Sequence, residues 1–325
     1  MSDAKPLPPD YPNEVILEVT NACNLRCRHC HFHGDAAPRT RPVGHMDPAV
    51  WQSVLDDMAR WEKPVTLLTH GAGEPLLYPH LPELLKRAKQ IPHLRVGFMT
   101  NAMLLDAAWT ERLLDLRVDF LALSIDGVDP KTHDAVRRNA RLNVIERDVR
   151  HLIRRKTERQ STTPALSFNM VLYPHIEDQG PAFVERWMPH AETITLSRFR
   201  PIGERTLWPP HEHPPFRPCS LLWHQCVIAW DGRVGLCCED IHLDVPTGSV
   251  LNQPLLQIFR HSPVFTAYRR QHLERRVEGL ALCTRCHVWG GDTVLQEWRE
   301  NLAGCSVRVT QTPAYRMYRK EEPLS

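Results

Sequence analysis

The run Cys23-Asn24-Leu25-Arg26-Cys27-Arg28-His29-Cys30 follows a short β-branched segment, Val15–Val19, and puts three thiols into one loop. Three thiolates can hold three irons of a [4Fe–4S] cube, which ordinarily takes four Cys ligands. The fourth iron is then open to a small-molecule ligand. Two other uses of the same residues are weighed against this. A structural zinc site needs a fourth Cys or His at finger-like spacing, and His29, His31 and His33 could supply it. A disulfide framework suits small secreted domains, whereas this chain has 325 residues.

That length suits one large domain or two smaller ones, and a hydrophobic fraction of 42% is enough for a core. The net charge is +2, with no basic stripe, so neither nucleic acid nor an anionic membrane surface is implied. Ten cysteines exceed what packing alone would ask for. Met1–Asp10 is polar and proline-rich and does not read as a secretory signal. No run of about 18 apolar residues is present to span a bilayer. A reducing cytoplasm with metal-bound thiolates is the expected setting.

From Glu14 to about Arg200, short apolar or β-branched runs alternate with longer amphipathic ones, the pattern of βα units on a parallel sheet. Strands are expected at Val15–Val19, Val65–Thr69, Leu94–Met99, Phe120–Ile125, Ala165–Leu172 and Thr193–Leu196. A helix is expected from Asp47-Pro48, with Asp as N-cap and Pro at the first helical position. Others are expected at Leu81–Ala88, Asp106–Leu116, Leu142–Arg155 and Gly180–Met188. Periodicity alone fits a partial barrel or a doubly wound sheet. In either, chemistry collects at the carboxyl ends of strands. The cysteine loop follows the first strand, His70-Gly71-Ala72-Gly73-Glu74-Pro75 the second and Thr100-Asn101-Ala102 the third. Ser124-Ile125-Asp126-Gly127 ends the fourth, Tyr173 and His175 follow the fifth, and Arg198 and Arg200 follow the sixth.

A C-x3-C-x2-C run after a β-type segment, with these loops in this order, resembles the radical S-adenosylmethionine (SAM) superfamily. The resemblance implies an α/β fold, a partial (β/α)6 TIM-like barrel over residues 13–200, preceded by an N-terminal extension, residues 1–12. It also implies that Cys23, Cys27 and Cys30 hold a [4Fe–4S] cluster whose open iron chelates the amino and carboxylate groups of SAM. Gly71-Ala72-Gly73-Glu74-Pro75 resembles the family's GGEP motif, which lines the methionyl amino group. The implied cofactor contacts are Gly71, Ala72, Gly73, Glu74, Asn101, Ser124 and Asp126, the last two toward ribose or carboxylate. Ala72 and Ala102 stand where the family often has glycine, and a positive φ is not expected at Ala72.

After a proline-rich linker, residues 201–218, come seven more cysteines. Cys219-x12-Gly232-x4-Cys237 is followed by Cys283-x2-Cys286, and Asp231-Gly232 signals a hairpin turn between two apolar runs. Four thiolates of this kind suit a zinc ribbon as well as iron–sulfur. The pattern resembles the auxiliary-cluster extension called SPASM, or its shorter form, twitch, here spanning residues 219–325 with a C-terminal tail. Cys286 is not followed by the further cysteines of the full pattern. The resemblance therefore implies one auxiliary [4Fe–4S] cluster, on Cys219, Cys237, Cys283 and Cys286. Cys226, in an apolar run, reads as a small buried hydrophobe. Cys305 is given no role. Cys238 points away from its neighbour Cys237 if the chain is extended there, and is a candidate hydrogen donor; the alternatives are a packing role or ligation by Cys238 itself.

The implied activity is reductive cleavage of SAM to a 5′-deoxyadenosyl radical, which abstracts hydrogen from a substrate carbon. Oxidation and epimerisation are both expected outcomes, on a small sugar or aminocyclitol-like molecule. Tyr173, His175, Arg198 and Arg200 are the substrate-facing candidates; the arginines suit a carboxylate, phosphate or polyol. An electron donor such as flavodoxin or ferredoxin is an implied partner. Peptide modification, a non-catalytic iron–sulfur sensor and RNA modification are the other readings weighed. The intact Gly73-Glu74-Pro75 loop speaks against a sensor and the charge balance against RNA.

Overall fold

The computed structural model describes residues 9–35, 37–38, 40–199, 216–284, 286, 288–291 and 294–321. Along the chain, β1 (Glu14–Leu17) leads to β2 (Arg26–Cys27), α1 (Pro48–Ala59), β3 (Val65–Leu68), α2 (Leu81–Ala88) and β4 (Leu94–Thr100). Next come α3 (Ala107–Asp115), β5 (Phe120–Ser124), α4 (Pro130–Val136), β6 (Arg137–Arg138) and α5 (Leu142–Glu158). They are followed by β7 (Ala165–Leu172), α6 (Gly180–Trp187) and β8 (Thr193–Arg198). The rest forms α7 (Leu221–His224), β9 (Gln225–Ile228), β10 (Arg233–Gly235), β11 (Gly248–Ser249), α8 (Leu255–His261), α9 (Pro263–Leu273) and α10 (Val288–Gly291). Three strands, β12 (Gln296–Leu302), β13 (Cys305–Gln311) and β14 (Tyr315–Lys320), close the described chain. No helix among the described residues is long and apolar enough to cross a membrane.

The chain divides into two compact units. The first takes the chain up to Cys23, then Pro38–Val96, then the stretch that ends at Gly290. Its strands run in the order β11-β10-β9-β1-β3. β1 is parallel to β3 on one side, Val15 opposite Leu67, and to β9 on the other, Val15 opposite Cys226. β9 and β10 form the expected hairpin, turning at Gly232 with φ +83°. A strand buried on both faces needs a continuous apolar run, and Val15 and Leu17 are fully buried. α1 starts as read: the Asp47 carboxylate accepts from Ala49 N, Pro48 follows, and Val50, Trp51, Val54, Leu55 and Met58 are buried on one face.

The second unit takes Asn24–Ala37, residues 97–209 and the C-terminal stretch. Here the end of β4, β5, β7 and β8 are successively parallel. Phe168 and Trp187 stack at 4.6 Å in its core, and Ile145, Val149 and Leu152 of α5 are fully buried. The six strands expected from the sequence are all present. Two things were not read from it. α4 is capped by Asp129, which accepts from Thr132 N, with Pro130 behind it. The C-terminal residues, assigned by sequence to the auxiliary domain as a tail, instead form β12–β14, and β14 pairs antiparallel with β8, Met317 opposite Thr195. The two-residue turn at Ala303 (φ +49°) and Gly304 (φ +76°) joins β12 to β13, and burial of Val307 and Val309 fixes which face turns inward.

Candidate active site

In the first unit, the loop after β3 is pressed against the segment that leads to Cys23. Glu74 N donates to Ala22 O at 2.8 Å. A Cβ on Gly73 would lie 2.5 Å from the carbonyl oxygens of both Thr20 and Ala22, and one on Gly71 would lie 2.5 Å from Glu18 Cβ. Glycine is required there by close approach, and φ is not positive at Ala72. Glu74, 2% exposed, caps the short 3-10 turn Pro75–Leu77 by accepting from Leu76 N. Ala72 N donates to Glu18 Oε2 at 3.0 Å. Glu18 is in turn gripped by both terminal nitrogens of buried Arg41, at 2.8 and 2.9 Å. The bidentate pair gives that wall a fixed geometry.

In the second unit, Cys30 N donates to Cys27 O at 3.1 Å, and His33 N donates to Cys30 Sγ at 3.1 Å. Asn101 Nδ2 donates to Asn24 Oδ1 at 2.8 Å, which ties the loop after β4 to the cysteine run. Ala102 adopts φ +60°, the left-handed region that favours glycine, and its N donates to Thr100 Oγ1. Ser124 ends β5 and is buried. Asp126 is fully buried with both oxygens engaged: Oδ2 accepts from Arg137 Nε at 2.7 Å, and Oδ1 from Val171 N at 2.8 Å. Tyr173, buried, shares a 2.5 Å hydrogen bond with His29 Nδ1 and stacks on Phe199 at 4.4 Å. Burial pushes the His29 imidazole down to about 4, against the pull of Asp126, and pushes the Tyr173 phenol up. His175 and Arg198 are exposed. Arg200 and the linker up to residue 215 lie outside the described residues.

The second cysteine set lies wholly in the first unit. Cys219, Cys237, Cys283 and Cys286 are thiols outside any disulfide, as are the other six cysteines. Burial raises the Cys237 thiol well above its ordinary range, and Cys238, Cys219 and Cys286 raise it further as thiolates in one neighbourhood. Tyr268, pushed up to about 12 by burial, also feels Cys283 and Cys237. Cys286 N donates to Cys283 O at 3.1 Å, so the C-x2-C pair forms one turn. Burial that disfavours several thiolates together is relieved where a metal compensates their charge. Cys226 is fully buried in β9, as expected of a small hydrophobe. Cys238 N donates to Gln225 Oε1, and Cys237 and Cys238 both line a cavity of about 150 Å³. Gly71, Ala72, Glu18 and Arg41 form another part of its wall, with Ile16, Val227 and Leu243 as apolar filling.

Among the described residues no three His, Cys, Asp or Glu side chains are grouped as a metal-ion site; the thiols of both runs are the donor type that iron–sulfur clusters take. The residues that sequence reading missed are Arg137, His29 as a Tyr173 partner, and the Glu18–Arg41 pair. Their partners are remote in sequence, and no local pattern marks them.

Residues 17–185 match the family model described as the radical SAM superfamily, and residues 219–287 match SPASM, an iron–sulfur cluster-binding domain. The GTP 3′,8-cyclase of Chlorobaculum tepidum is 29% identical over 60% of this chain, and the chain spans a little over half, 56%, of that protein. Among solved structures, BtrN in complex with AdoMet and 2-DOIA is similar with a TM-score of 0.58 at 17% identity, covering 85% of this chain and 92% of that one. Streptococcus suis SuiB bound to its precursor peptide SuiA has a TM-score of 0.62 at 13% identity, over 80% of this chain and 67% of that one. These likenesses show the fold, an α/β TIM-like barrel architecture with a C-terminal iron–sulfur domain.

Proposed function

The chain belongs to the radical SAM superfamily, binds SAM with iron–sulfur clusters and carries a SPASM domain, and from this we propose that it abstracts hydrogen from a small-molecule carbon. When bound, the reduced cluster and SAM supply a 5′-deoxyadenosyl radical. Cys23, Cys27 and Cys30 hold the cluster in this reading, and Gly71–Glu74, Asn101 and Ser124 hold SAM. Asp126 serves from behind, through Arg137. Cys219, Cys237, Cys283 and Cys286 hold one auxiliary cluster.

The observation that carries the reading is the cavity of about 150 Å³ with the Gly71-Ala72 loop on one wall and Cys238 on another. Its size admits a sugar-like group and little more. Arg41 and Glu18 offer polar contacts to hydroxyls there, and the apolar wall excludes water from the radical. Cys238 Sγ then gives its hydrogen atom to the substrate carbon from the face opposite the one that lost hydrogen. The sulfur is restored by one electron and one proton, the electron coming ultimately from a flavodoxin- or ferredoxin-type donor. If the substrate radical instead gives up one proton and one electron, for which the auxiliary cluster would be the acceptor, the product is oxidised by two electrons. Tyr173, His175, Arg198 and Arg200 remain substrate-facing candidates, and the cytoplasm is the proposed location.

Turnover in D2O decides between these outcomes. Epimerisation places one deuterium at the inverted carbon, and Cys238→Ala then forms 5′-deoxyadenosine without inverted product. A two-electron oxidised product free of solvent deuterium makes the enzyme a dehydrogenase and Cys238 a packing residue. The likeness to SuiB favours peptide maturation as the second reading. Turnover of a ribosomal peptide, with no turnover of polyols, would establish it.

A further inference from the structure

β2 and β6 form a two-stranded ribbon in which Cys27 sits directly opposite Arg137. The ribbon is extended by Arg28 N donating to Val136 O at 2.9 Å. Residues directly opposite on one ladder project to the same face, so backbone register alone sets the guanidinium beside the thiol. Arg137 NH1 lies 4.0 Å from Cys27 Sγ, within reach of a hydrogen bond to sulfur, while its Nε is held by Asp126. Asp126 is itself pinned through Val171 N, and Arg137 is only 7% exposed. We propose that Arg137 sets the reduction potential of the cluster held by Cys27, with Asp126 aiming the guanidinium and partly offsetting its charge.

The assignment rests on the radical SAM reading with Cys27 as a ligand. Cluster potentials follow net charge, hydrogen bonds to the sulfurs and solvent exposure. A cation donating to a ligand sulfur favours the form with the extra electron and so raises the potential. Asp126 offsets this only in part: it holds Nε, while another nitrogen of the same guanidinium reaches the sulfur. Arginine is cationic at any working pH, so the charge at this position is permanent.

The test is a potentiometric titration of the anaerobically reconstituted full chain, followed by EPR. The cluster whose signal changes on adding SAM is the one read. Arg137→Met leaves a buried carboxylate and risks the fold, so Arg137→Met/Asp126→Asn is made beside it to keep the site neutral. Arg137→Lys retains charge but loses the planar fork. The double variant is expected to shift the midpoint to more negative values, Arg137→Lys to shift it less, and Asp126→Asn to shift it positive. The auxiliary cluster should not move in any of them. A double variant with full iron content and a wild-type midpoint overturns the proposal, as does a negative shift in Asp126→Asn. Cys27→Ala retaining the SAM-responsive signal overturns the reading beneath it instead.

Discussion

The two cysteine sites reach related ends by opposite routes. The first comes from one uninterrupted run, Cys23 to Cys30, whose later half is fixed by a turn and by a ribbon to Arg137. The second is gathered from Cys219 to Cys286, across a hairpin, three helices and a further turn. A local loop brings its thiols together at little entropic cost, whereas closing the longer one must be met by tertiary packing. The electrostatics differ in the same sense. Arg137 stands beside Cys27, while the neighbours that act on Cys237 and Cys238 include other thiols, Glu239 and Glu14. The first site is thus built to be reached and tuned, and the second is built by the fold around it.

Replacing Cys23, Cys27 and Cys30 together by Ala breaks that contrast most severely. 5′-Deoxyadenosine formation should vanish, and iron per chain should fall by about half, because each cube holds four irons. Retained cleavage would remove the local loop from the chemistry. The next largest effect separates adjacent cysteines. Cys237→Ala should lose the second cluster and much of the thermal stability of the first unit, while Cys238→Ala keeps wild-type iron. The reverse pattern, measured by iron analysis, would shift the ligand register by one, and zinc in anaerobically purified protein would replace the cluster assignment. Gly73→Ala should cost about 1–3 kcal/mol, since the added Cβ meets two carbonyl oxygens at 2.5 Å. Its melting curve should drop and SAM affinity should weaken with it. The smallest effect is a gain: Ala102→Gly relieves a left-handed residue and should raise stability by about 1 kcal/mol. A lower melting temperature would show that the loop tying Asn101 to Asn24 depends on the Ala102 methyl.

What was legible in the sequence follows the same division between local and distant. β1, β3, β4, β5, β7 and β8 each announced themselves by an apolar run, and α1 by Asp47-Pro48. The β9–β10 hairpin was signalled by Asp231-Gly232. By contrast α4 carried a readable cap in Asp129-Pro130 but is too short for periodicity to show. β12–β14 carry a readable turn at Ala303-Gly304, yet nothing local says that β14 will lie along β8. Asp126 shows the limit for a site residue. Its position after β5 suggested contact with a ligand, and only the structure reveals Arg137 and Val171 occupying both its oxygens.

The parallel pairing of β1 with β9 has a consequence for how the chain is made. Leu17 leaves the ribosome long before Ile228, its partner in that ladder. At usual synthesis rates the interval is roughly ten to forty seconds. Throughout it one edge of β1 has its backbone groups unmatched, in the strand that immediately precedes Cys23, Cys27 and Cys30. Nascent chains that stall in this window would present an unpaired strand edge beside three thiols, so slowed elongation is expected to lower the yield of folded protein, which expression at reduced translation rate would measure.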